Sequence, residues 1–133
     1  MYKKKIPPEP VCPFEYAMSL FSGKWNIRVL CLLAHNESMR FGDFKEILSD
    51  ISDTALSLVL KKYTKNQVVI RKAFDEIPPR VEYMLSEKGK KVVPVLQQLC
   101  SWSVQYGNPV VTEFVECENC KYGIEKKVQT IPL

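Results

Sequence analysis

The sequence predicts one mainly helical α+β domain, and three observations carry that expectation. Apolar residues recur at helical spacing in several separate stretches, two short runs rich in Val, Ile, Tyr and Phe flank a Pro-Pro loop, and no repeat or low-complexity tract interrupts them. At 133 residues the chain suits a single core, and 46% apolar with 26% charged residues is the balance of an ordinary folded domain rather than a disordered or collagen-like one. No apolar run approaches the roughly 18 residues that a membrane span needs. The basic start from Met1 to Pro10 has no apolar stretch behind it, so neither a span nor an export signal is expected.

Each element follows in order. A flexible leader is expected over 1–11, where Lys3, Lys4 and Lys5 precede three prolines. Phe14, Met18 and Phe21 then follow helical spacing and stop at Ser22-Gly23, a first helix. From Lys24, the residues Trp25, Ile27, Val29, Leu30, Leu32 and Leu33 crowd so densely that most faces of a second helix must be covered. His35 and Asn36 end it, with His35 expected to cap carbonyls rather than to bind metal. Met39-Arg40-Phe41 reads as a short extended piece, and Phe44, Ile47 and Leu48 mark a brief third helix.

Ser52 offers an N-cap hydroxyl and Asp53 sits at the positive end of the helix dipole, ahead of Leu56, Val59, Leu60 and Tyr63 at spacings of three and four. This fourth helix carries Thr54, Ser57, Lys61 and Lys62 on its other face. Val68 to Phe74 and Arg80 to Leu85 predict two strands, because Asp75-Glu76-Ile77-Pro78-Pro79 between them cannot continue a ladder. Ser86 can cap a last long helix in which Val92, Val95, Leu96, Leu99, Trp102 and Tyr106 recur up to Gly107-Asn108-Pro109, with Pro94 expected to bend its early turns. The folded domain is therefore expected over 12–107, followed by a C-terminal extension, 108–133, that holds a Cys-x-x-Cys pair.

Helix, helix, short strand, helix, helix, strand, loop, strand, helix is the order of a winged helix-turn-helix. The fold class expected is thus α+β, mainly helical, with a two- to three-stranded wing sheet and added N- and C-terminal dimerisation helices. A duplex major groove admits one α-helix, and a hairpin beside that helix reaches neighbouring phosphates or the minor groove. Charge agrees. The net +4 is mild, but Lys61, Lys62, Lys65, Arg71 and Lys72 fall between Thr54 and Phe74 with no acidic residue among them. By itself, such a window is more often a solvated face than a binding site.

Five ordered stretches resemble the HxlR-type transcriptional regulators, relatives of the MarR-type winged-helix proteins. They are Cys12-Pro13-Phe14-Glu15-Tyr16, Gly23-Lys24-Trp25, Arg40-Phe41-Gly42-Asp43-Phe44, Ile51-Ser52 and Ile77-Pro78-Pro79-Arg80-Val81-Glu82-Tyr83, and the likeness covers roughly Cys12 to Trp102. The resemblance implies a cytoplasmic homodimer that binds a pseudo-palindromic operator in double-stranded DNA and represses or activates nearby genes, with no cofactor. It departs from the family in two places. Leu58 and Val59 stand where polar residues are usual in the recognition helix, and Thr64-Lys65-Asn66-Gln67 replaces the usual Glu-Glu-Asp-Gly. Leu58 is expected to pack, the alternative being contact with thymine methyl groups, and Asn66 is expected to take the left-handed turn that glycine usually fills.

The candidate DNA contacts follow from these positions. Thr54, Ser57 and Lys61 share one side of the fourth helix, Lys62 and Lys65 suit phosphates, and Arg80 begins the second wing strand behind a stiff Pro-Pro. A salt bridge from Arg80 to Glu82 or Asp75 is the competing reading. Arg40 and Lys24 are further candidates for backbone contacts. Phe14, Met18 and Phe21 of the first helix, with Leu99, Trp102 and Tyr106 of the last, offer more apolar surface than one small core consumes and are assigned to a dimer interface.

Cysteine usage adds a second theme. Five cysteines form an odd set, and Cys31 and Cys100 lie in apolar stretches and read as packing residues. Cys12 falls at or just before the first helix, and in some members of the resembling family the cysteine at this position senses oxidants or electrophiles. Cys117 and Cys120 have metal-knuckle spacing, but a structural zinc site needs four ligands, so no metal is expected unless a second protomer completes the set. There is no phosphate-cradling Gly-rich loop, nucleophile elbow or paired-carboxylate motif, so no enzyme is expected. The competing functions are a winged helix used only for protein contacts and a redox or zinc protein built on Cys117 and Cys120.

Overall fold

A computed structural model describes residues 12–107. The elements are α1 (Pro13–Phe21), α2 (Lys24–His35), α3 (Phe41–Ile47), α4 (Asp53–Lys65), β1 (Val69–Phe74), β2 (Arg80–Leu85) and α5 (Glu87–Tyr106). The leader 1–11, the extension 108–133 and its Cys117 and Cys120 lie outside the described residues.

The order expected from the sequence is the order found. α2 runs through the middle, with Val29, Leu30, Leu32 and Leu33 buried against Leu20 of α1, Leu56 and Leu60 of α4, Leu85 of β2 and Leu96 of α5. β1 and β2 form an antiparallel hairpin in the register Val69 with Leu85 through Phe74 with Arg80. A third strand is reduced to one residue. Met39 exchanges both backbone hydrogen bonds with Tyr83, at 2.9 and 2.8 Å. The extended piece ends sooner than expected, because Phe41 already opens α3. There the Asp43 carboxylate accepts the Arg40 backbone N–H at 2.9 Å and satisfies a donor that the helix start leaves unpaired.

Three local expectations are corrected. The left-handed residue after α4 is Gln67, φ 63°, while Asn66 keeps φ −93° and donates from its side chain to the Lys62 carbonyl at 2.9 Å. The Gln67 N–H reaches the Thr64 carbonyl and the Val68 N–H the Tyr63 carbonyl, at 3.1 and 2.8 Å, the paired bonds of a Schellman stop that place the left-handed residue one position beyond Asn66. At the end of α2 the capping side chain is Asn36, which donates to the Leu32 carbonyl at 2.8 Å, whereas His35 is exposed. Phe21 is buried, with its ring centroid 6.1 Å from that of Tyr63, so it belongs to the chain's own core and leaves the interface set.

α5 is docked at its first turn. Ser86 Oγ accepts the Gly89 N–H at 3.0 Å and donates back to the Gln67 and Val68 carbonyls. Lys88 Nζ donates to the Asn66 carbonyl at 2.8 Å and to the Tyr16 hydroxyl at 2.9 Å, joining α1, the α4–β1 turn and α5. Helix α5 then continues through Pro94 to Tyr106. Cys31 is buried and Cys100 half-buried against the core, as packing residues should be.

Candidate nucleic-acid interface

α4 is the second helix of the α3–turn–α4 pair, and local chemistry fixes where it starts. Ser52 Oγ accepts the Ala55 N–H at 3.0 Å, and Ile51 is buried as the anchor of the turn. Lys45 closes the turn from α3, donating to the Ile51 carbonyl at 2.7 Å and pairing with Asp53 at 2.8 Å. Asp53 is the one acidic residue of α4, so this pairing leaves the rest of the helix with lysines alone.

The buried side of α4 is Leu56, Val59, Leu60 and Tyr63. Thr54, Leu58, Lys61 and Lys65 are exposed opposite it, with Ser57 and Lys62 half-buried at its edges. Leu58 corrects the expectation of packing. It is 62% exposed, because the three- and four-residue spacing that buries Leu56, Val59 and Leu60 turns residue 58 outward.

Between α4, the start of α3 and the hairpin lies a hollow of about 540 Å³ lined by Phe41, Ser57, Leu60, Lys61, Thr64, Lys65, Arg71 and Tyr83. It brings together three expected contacts, Ser57, Lys61 and Lys65, and adds Arg71. Arg71 lies in the basic window, but only the pairing of Arg71 with Tyr83 across the hairpin brings it to the hollow. None of Lys61, Lys65 and Arg71 is ion-paired among the described residues. Three cations around one hollow without a carboxylate form a local field that attracts an anion.

Arg80 does not join them. Its guanidinium bonds Glu82 at 2.7 Å and Glu76 at 2.8 Å and lies 3.7 Å from the centre of the Phe74 ring. The hydrogen bond to Glu76, and then the charges of both carboxylates, hold it firmly protonated. The expected DNA contact from Arg80 is therefore replaced by a brace inside the wing. Glu82 was among the expected alternatives, Asp75 is not the second partner, and Glu76 is. Lys24 and Arg40 are exposed at the starts of α2 and α3 and do not line the hollow. Lys24 Nζ stands 4.5 Å from the centre of the Trp25 ring.

Apolar side chains are also exposed on α5 and on α1. On α5, Val95, Leu99, Trp102 and Tyr106 are 55%, 51%, 58% and 62% exposed, and Phe14 of α1 is 65% exposed. Met18 is half-buried, and Val95 is an addition to the expected set. Cys12 is exposed at the N-cap of α1, two residues before Phe14, with its carbonyl accepting the Glu15 N–H at 2.8 Å. No cluster of three or more metal-binding side chains occurs among the described residues, and no helix among them is long and apolar enough to cross a membrane.

A helix pair completed by a two-stranded hairpin, with cations between the second helix and the first strand that have no ion-pair partner among the described residues, defines a winged helix-turn-helix domain. The HxlR-like helix-turn-helix family matches residues 20–111, and the chain belongs to that family. An uncharacterized HTH-type transcriptional regulator of Halalkalibacterium halodurans is 36% identical over 107 residues, covering 80% of this chain and 95% of the relative. Among solved structures, the reduced form of the transcriptional regulator YodB from B. subtilis aligns with a TM-score of 0.68 at 33% identity, over 75% of this chain and 98% of that one. The redox regulator HypR in its oxidized form aligns with a TM-score of 0.66 at 28% identity, over 73% and 99%.

Proposed function

We propose that this chain is a transcriptional regulator that binds double-stranded DNA sequence-specifically, as a homodimer on a pseudo-palindromic operator. The observation that carries the reading is the trio Lys61, Lys65 and Arg71, without ion-pair partners among the described residues, around the hollow between α4 and the hairpin. In this geometry α4 enters the major groove, Thr54 and Ser57 reach base edges, and the trio with Lys62 takes phosphates. Lys24 and Arg40 are further backbone contacts. One recognition helix gives limited affinity, so two copies address half-sites about one helical turn apart. The apolar stripe of α5, with Phe14 and Met18, joins them.

The test is DNA binding titrated against salt. A regulator that neutralises several phosphates shows log affinity falling steeply with log salt, by about 0.9 for each phosphate. A winged helix used only for protein contacts shows little or no slope.

A second reading concerns control. Cys12 is exposed two residues before Phe14 of the proposed interface, and the matched structures include a redox regulator and a regulator determined in reduced and diamide-treated forms. Modification of Cys12 then alters the dimer and hence operator affinity. Unchanged operator binding after diamide treatment, with Cys12 shown to be oxidised, removes this reading.

A further inference from the structure

We propose that Leu58 is a specificity residue that packs on the C5 methyl group of a thymine in each half-site. This rests on the DNA-binding reading above and deepens it. Single exposed apolar residues are common on protein surfaces, so exposure alone decides nothing. Placement does. Leu58 lies in the middle of the outward face of α4, one turn after Thr54 and one turn before Lys61 and Lys62, on the helix that enters the groove.

The neighbours of Leu58 discriminate poorly. Hydroxyls such as those of Thr54 and Ser57 both donate and accept, so they suit any base edge, and Lys61 and Lys65 serve phosphates at any sequence. Outward-facing α4 has no Asn or Gln for a bidentate grip on adenine and no Arg fork for guanine, and its lysines are assigned to phosphates in the reading above. An apolar side chain has the opposite character. It gains nothing from the donors and acceptors that fill the major groove, and the one apolar group exposed there is the thymine methyl. A 62% exposed leucine at that place therefore selects thymine and penalises every base that would leave it against polar atoms.

The experiment begins by enriching preferred duplexes from a random library with the full chain. Each half-site thymine is then exchanged for uracil, which keeps base pairing and removes only the methyl group. Burial of one methyl corresponds to about four-fold in affinity. One position per half-site is thus expected to weaken wild-type binding about four-fold, and both together about fifteen-fold. Leu58→Ala is expected to lose most of the preference for thymine over uracil while keeping the wild-type salt slope, since an apolar contact releases no counterions. Its circular dichroism melt checks that the fold is intact.

Wild-type affinity that ignores every uracil exchange overturns the proposal, as does undiminished thymine preference in Leu58→Ala. A change in oligomeric mass of Leu58→Ala without loss of thymine preference assigns the side chain to protein contact and overturns it too. If no duplex is enriched at all, the DNA-binding reading itself falls and Leu58 with it. Enrichment without methyl sensitivity removes the Leu58 role alone.

Discussion

The Tyr63 hydroxyl donates a 2.6 Å hydrogen bond to the Asn26 carbonyl, tying the buried last turn of α4 to the first turn of α2. Tyr63 is fully buried, so this one polar contact sits inside the core and fixes how the recognition helix leans on its support. Tyr63→Phe keeps the packing and removes this hydrogen bond while the carbonyl retains its place in the α2 ladder, and is expected to cost about 1 kcal/mol at neutral pH. Burial pushes the ionisation of this phenol upward. The unfolded chain releases the proton near its ordinary value of about 10 while the folded chain holds it. The stabilisation is therefore complete below about pH 10 and lost as pH climbs towards the folded value. Urea unfolding of both proteins should show the gap between wild type and Tyr63→Phe closing above about pH 10.

The junction of α4, β1 and α5 makes two opposite predictions. A Cβ on Gly89 would stand 2.3 Å from the Val68 carbonyl oxygen, which is backbone and cannot step aside. Gly89→Ala is expected to lose about 2–3 kcal/mol. Gln67 holds a positive φ of 63° that glycine adopts freely. Gln67→Gly should gain about 0.5–1 kcal/mol, the relief of left-handed strain less the added entropy of the unfolded chain. Denaturant midpoints of the two variants should move in opposite directions.

Lys61 and Arg80 separate a phosphate contact from a brace. Lys61 lines the hollow unpaired, whereas Arg80 is spent on Glu76, Glu82 and the Phe74 ring. Lys61→Ala removes one phosphate contact from each copy of the dimer and is expected to flatten the salt dependence of log affinity by about two units of slope. Arg80→Ala should leave that slope in place and weaken binding through a looser wing. Equal loss of slope in both variants would return Arg80 to the DNA.

What was legible in the sequence is what short-range chemistry decides. Ser52 announces the start of α4 because its partner, Ala55, is three residues away, and Pro78-Pro79 announces the wing because proline cannot pair in a ladder. Leu58 was misread because its neighbours are apolar as well, and only the placement of α2 decides which of them face the core. Arg80 was misread because Glu76 sits across the wing loop, and the bend of that loop brings the two together. Arg71 and Gly89 depend on cross-strand register and on a helix–turn approach, both long-range relations.

The apolar stripe of α5 carries the last prediction. Val95, Leu99, Trp102 and Tyr106 follow one another at intervals of four, three and four residues, the spacing of a seam that packs helix against helix. All four are exposed in the single chain, at a cost in solvated apolar surface that pairing two copies would recover. Leu99→Glu places a carboxylate in the middle of the seam without touching the monomer core. It is expected to convert a dimer into a folded monomer by analytical ultracentrifugation. Operator affinity should fall by about 10²–10⁴, the avidity lost when two half-sites are no longer held together. The salt slope of the monomer should be about half that of the wild type, because each copy brings its own set of lysines to the phosphates. Wild-type protein that sediments as a monomer while binding its operator at full affinity would refute this arrangement.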